Sequence, residues 1–128
     1  MDTPNRLLKP VRWVGSTSKD LRAMPKAIRA QLGLMLDDLQ HGQSVEPPHA
    51  KPLKGFGGGV IELLADDAGD TYRGVVALRF EDAIYVLHVF QKKSKRGIST
   101  PQQDIDLIRV RLKQAEADHD ARRRKELP

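Results

Sequence analysis

The side chains best suited to chemistry in this sequence are cationic, and many of them crowd one stretch. Lys92, Lys93, Lys95 and Arg96 follow an apolar run and precede Thr100-Pro101, which places them on a loop at a sheet edge. A lysine there acts as a point charge, or as a proton carrier once burial lowers its pKa. Arg73 and Arg79 lie within the run from Thr71 to Phe80. An arginine fork binds two phosphate oxygens at once, which suits it to a phosphate gaining charge in a transition state. Strand alternation puts Arg73, Val75, Ala77 and Arg79 on one face and Tyr72, Val76, Leu78 and Phe80 on the other. The second face is more apolar, so it is the expected core and the arginines take the more open side. From alternation alone, a solvated strand arginine is the commoner reading.

His88 could carry a proton near neutral pH, but its face depends on the preceding hairpin. A two-residue loop at Glu81-Asp82 sets it beside Arg73. A three-residue loop including Ala83 turns it into the core. Neither loop holds a glycine to decide the matter. Lys51 and Lys54 flank a glycine-rich stretch and could reach a phosphate from a second side. Gly55-Phe56-Gly57-Gly58-Gly59 precedes a strand and not a helix, so it reads as a flexible turn and not as a nucleotide cradle. His41, His49 and His119 show no metal-ligand spacing, the carboxylates form no acid/base pair, and no metal or cofactor is expected. Arg122-Arg123-Arg124-Lys125 reads as a solubilising charge block.

The elements that must carry these residues alternate along the chain. Val11-Arg12-Trp13-Val14 reads as a first strand. Ser16 to Asp20 introduces a short helix, and Pro25 separates it from a second one carrying Ile28, Leu32, Met35, Leu36 and Leu39 at helical spacing. Gly42 suits that helix's C-terminal cap. Residues 43–59 read as irregular. Strands are expected at 60–65, 71–80 and 83–91, the first two joined by the linker Asp66 to Asp70 and the last two by a hairpin. Thr100 as cap, Pro101 at the first helical position and Gln103 closing a capping box announce the last helix. Its stripe is Ile105, Ile108, Leu112 and Ala115; residues 118–128 are expected to fray as a charged tail after a single domain at 1–117. Strand, two helices, three strands and a helix imply an α+β domain, β-α-α-β-β-β-α, with helices on a mainly antiparallel sheet.

Composition narrows the function classes. In 128 residues, 22 Lys and Arg against 17 Asp and Glu give +5. The pI near 9.7 favours polyanions or acidic protein partners. No cysteine is present, so disulfides and thiolate zinc sites are excluded. No apolar run is long enough to span a membrane, and Met1 to Arg6 lacks the features of a secretory signal, so a cytoplasmic protein is expected.

The run Tyr85-Val86-Leu87-His88-Val89-Phe90-Gln91-Lys92-Lys93, continuing to Thr100-Pro101, resembles the phage-derived HigB-like branch of the RelE/ParE toxin superfamily. Glu62-Leu63, Tyr72-Arg73, Leu21 to Pro25, and Gln40-His41-Gly42 are similar to further elements of that family in matching order, over about residues 11 to 115. Leu64 stands where the family often carries arginine, and Val60 where an aromatic residue is common. The resemblance implies a compact RelE-like fold and ribosome-dependent mRNA cleavage without a metal. It also implies an antitoxin partner, with a helix-turn-helix expected in it. On that basis Arg73, Lys92, Lys93 and His88 are the expected catalytic residues. Lys51, Lys54, Arg79, Lys95 and Arg96 are the expected RNA contacts. The alternatives are a ParE-like inhibitor of gyrase without catalysis, and an inactive RelE-like binding module.

Overall fold

The computed structural model describes residues 8–92 and 100–127. Strand β1 (Val11–Trp13) leads into helix α1 (Thr17–Arg22) and helix α2 (Lys26–Gln40). Strands β2 (Ala50–Pro52), β3 (Val60–Asp67), β4 (Asp70–Ala77) and β5 (Ile84–Lys92) follow, and helix α3 (Gln102–Glu126) closes the chain. The five strands form one sheet in the order β1-β5-β4-β3-β2; β1 runs parallel to β5 and the other pairings are antiparallel. This is an α+β architecture compatible with a compact RelE-like domain. No described helix is long and apolar enough to cross a membrane.

The helices follow from local rules. Pro25 cannot sit inside a helix and instead stands at the start of α2. At the other end, Gly42 takes φ +80°, its amide donates to Leu39, and the Gln43 amide donates to Asp38. Those two bonds are the left-handed cap that glycine permits at no steric cost. Ile28, Leu32, Leu36 and Leu39 of α2 are buried against Leu63, Ala65, Tyr72, Val76 and Val86. On the opposite face, Ile108, Leu112 and Ala115 of α3 cover Val60, Val75, Ala77, Tyr85 and Leu87. Burying each large aliphatic side chain contributes about 1.5–3 kcal/mol.

Both sheet faces are therefore cores, which corrects the expectation of one buried and one open face. The odd residues of β4 lie under α3, and β4 ends at Ala77, so Phe80 belongs to the α3 core and not to the strand's even face. Four further readings change. Ala50–Pro52 is an edge strand inside the supposedly irregular stretch. The linker at residues 66–70 is a two-residue hairpin turn at Ala68-Gly69, both with positive φ. Pro101 and not Thr100 stands at the cap of α3, and no side chain caps it. Finally, α3 continues to Glu126, and Asp118 and His119 bind Tyr85 and Asp82, so the segment expected to fray is helical and anchored.

Candidate functional site

Register brings the chemistry together. Across β2, β3 and β4, Lys51 faces Glu62 and Glu62 faces Val75; two residues along, Leu64 faces Arg73. Facing residues share a side of the sheet, so Lys51, Glu62 and Arg73 all project towards the α3 side. Thr71 faces Lys92, Arg73 faces Phe90, and Val75 faces His88, which adds Lys92 and His88 to that side.

His88 reaches this face by a route that turn counting missed. Val76 pairs with Val86 while Val75 pairs with His88, so Leu87 is an extra residue in a β-bulge. Leu87 joins the α3 core, and the bulge keeps His88 on the Arg73 side. The connection from β4 to β5 is neither of the two expected tight loops: it runs from Leu78 to Ala83. The orientation matches what the two-residue loop implied, yet the bulge produces it.

Glu62 is the hub. Its side chain is 1% exposed, and Arg73 Nη1 donates to Oε1 at 2.8 Å and to Oε2 at 3.0 Å. The Thr100 hydroxyl donates to Oε2 at 2.6 Å, and Lys51 Nζ lies 3.7 Å from Oε1. Arg73 and Lys51 contact this one carboxylate and Lys92 on the same face interacts electrostatically with all three, so these four groups carry net positive charge. Burial, reinforced by Arg73 and Lys51, holds the Lys92 ammonium below the ordinary lysine range, against a smaller opposing pull from Glu62. That eases proton release from Lys92.

Beside the hub, His88 Nε2 lies 2.7 Å from Asp104 Oδ1 in the first turn of α3, and the His88 ring stacks on Phe90 at 4.4 Å. Arg73 Nε and His88 Nδ1 are buried and have no hydrogen-bond partner among the described residues. Each such orphan costs about 1–3 kcal/mol, a penalty that a ligand offering the complementary group removes.

The remaining expected residues fall elsewhere. Arg79 lies beyond the end of β4, about 20 Å along the strand direction from Arg73. Its guanidinium donates to the carbonyls of Phe56 and Gly58 and to Glu116. It clamps the glycine-rich stretch, whose Gly59 takes φ +73° and would press any Cβ to 2.7 Å from that of Arg79. Lys54 is exposed in the loop beyond β2, towards the same end. Lys93, Lys95 and Arg96 lie outside the described residues. The sequence reading assigned no chemical role to Glu62 or Asp104 and took Thr100 as a cap and as part of the family-like Thr100-Pro101 pair. Besides its place in the family-like Glu62-Leu63 element, Glu62 carried one signal of its own, a charge inside an apolar strand. Among the described residues, no three His, Asp or Glu side chains gather as a metal would need.

Residues 19–113, well over half of the chain, match the family model described as Phage derived protein Gp49-like (DUF891). No curated protein matches the chain.

Proposed function

Since this chain belongs to the Gp49-like family of phage-derived proteins, a family associated with RelE-like toxins, we propose that it is the toxin of a type II toxin–antitoxin pair, cutting mRNA on the ribosome. The observation that carries this reading is the gathering of Lys51, Arg73 and Lys92 around buried Glu62, with His88 on the same face. A net positive cluster with one donor and one acceptor unpaired among the described residues suits a phosphodiester next to a hydroxyl, the combination RNA offers and DNA lacks.

RNA cleavage without a resident metal needs the ribose 2′-hydroxyl to attack the neighbouring phosphorus. One group takes the hydroxyl proton, another protonates the leaving oxygen, and cations hold the charge that builds on phosphorus. Arg73, steered by Glu62, takes the last task, and Lys51 supports it from β2. His88 and Lys92 carry the protons. Lys54, Lys93, Lys95 and Arg96 are taken as contacts to the message, and their loss weakens binding more than turnover. The partner is an antitoxin of complementary acidic surface, expected to carry a helix-turn-helix.

The test is pulse induction in bacteria with primer extension across several messages. Codon-phased cuts are expected in translated mRNAs, reduced about 10²–10³-fold by Arg73→Ala or Lys92→Ala. Growth arrest with intact messages would instead place the target among proteins such as gyrase. No arrest at all would mean an inactive binding module, a reading to which Leu64 beside Arg73 would then give a cause.

A further inference from the structure

Asp104 stands apart from its neighbours on α3. Gln103 and Asp106 are exposed, whereas the Asp104 side chain keeps 25% exposure and turns to His88. A carboxylate only accepts hydrogen bonds, so the 2.7 Å contact requires the His88 ring to carry a proton on Nε2. In the neutral ring the lone pair then sits on Nδ1, the atom that is buried and unpartnered among the described residues. Two further features fix the ring itself. The bulge at Leu87 sets His88 on the Arg73 face, and Phe90 lies against the ring with 16° between their planes. A histidine kept only for packing has no need of a bulge, a stacked aromatic and a carboxylate that together leave one nitrogen bare.

We propose that Asp104 is a positioning residue that holds His88 in its Nε2–H tautomer, so that Nδ1 accepts the proton of the attacking 2′-hydroxyl. The proposal rests on the ribonuclease reading above and assigns the direction of proton flow within it. The O2′–H bond breaks and its proton passes to His88 Nδ1 as O2′ bonds to phosphorus. The bond from phosphorus to O5′ breaks, and O5′ takes a proton from the Lys92 ammonium. The products are a 2′,3′-cyclic phosphate and a 5′-hydroxyl, and no further reactant is consumed. His88 leaves the step as an imidazolium whose Nε2–H remains on Asp104. Nδ1 is shielded in the unliganded chain, so the ribose reaches it only as the message seats.

Two measurements test this on the full chain. The first is ¹⁵N NMR of the histidine rings at a pH where they are neutral, with His88→Gln identifying the His88 signals among the four histidines. Wild type should show a protonated Nε2 and a bare Nδ1, and Asp104→Asn should populate the opposite tautomer. The second is single-turnover cleavage of mRNA on programmed ribosomes. Asp104→Asn should lower the cleavage rate about 10²-fold or more while half-saturation moves less than about threefold. A wild-type ring protonated on Nδ1, or an Asp104→Asn protein cutting at the wild-type rate, overturns the proposal and leaves the ribonuclease reading standing. A wild-type protein that cuts no translated message removes that reading and this proposal with it.

Discussion

Glu62 and Arg73 are buried to 1% and 3% exposure, and an ion pair so enclosed is a poor way to stabilise a fold. Desolvating two charges costs about as much as their attraction returns, and apolar replacements of similar volume are often neutral or stabilising by about 1–4 kcal/mol. Removing one partner is different, since it strands the other charge. We therefore expect Glu62→Ala to destabilise the protein by about 3–5 kcal/mol in urea titration. The double variant Glu62→Leu/Arg73→Met should recover that loss and remain inactive. A double variant no more stable than Glu62→Ala would mean that the pair is structural and would weaken its assignment to phosphate chemistry. The residue types of this site were partly legible beforehand: a strand arginine, a histidine, and lysines near a strand end. Their partners were not. Glu62 lies 11 positions from Arg73 and Asp104 lies 16 from His88, and only strand register and the placement of α3 join them.

Register is also where the element scale departs from pattern reading. Helical periodicity placed α2 and α3 because their stripes repeat over several turns, and Pro25 and Gly42 marked the limits of α2. β2 escaped because it has three residues and ends in Pro52, which an outer strand tolerates. The bulge at Leu87 leaves no mark in an apolar run, because Leu87 and His88 would alternate normally without it. The β3–β4 turn was hidden for a chemical reason: Ala68 sits at φ +52°, a conformation that costs an ordinary side chain about 1–2 kcal/mol. Asparagine tolerates it, and Asn-Gly is the favoured pair for two-residue hairpins. Ala68→Asn should therefore raise the melting temperature by about 3–6 °C without changing activity, as read by calorimetry and the cleavage assay. An unchanged or lower melting temperature would show that the turn is not strained at Ala68.

At the scale of the whole molecule, α3 ties the site to the far end of the sheet. Its first turn delivers Asp104 to His88, with Thr100 just before it on Glu62. Its last turns are held by the Tyr85 hydroxyl donating to Asp118 at 2.6 Å and by His119 on Asp82 at 2.7 Å. The Tyr85 hydroxyl, followed by Arg122, holds the Asp118 carboxyl below its ordinary value of 3.8, and the His119 hydrogen bond does the same for Asp82. A carboxyl depressed by folding adds stability that is complete above its unfolded pKa and lost as pH falls through the folded one. Tyr85 has the opposite sense: burial, then Asp118, pushes it above 10.0, so its contribution is present below that pH and lost as pH rises past it. The C-terminal half of α3 should thus stay docked from about pH 4 to about pH 10 and loosen outside that window. Hydrogen exchange at pH 5 and pH 3, compared as protection factors, reads this directly. Amides from Ala115 to Arg122 should lose protection at pH 3 while those of β4 and β5 keep theirs. Equal losses in helix and strands would mean that α3 and the sheet open as one unit.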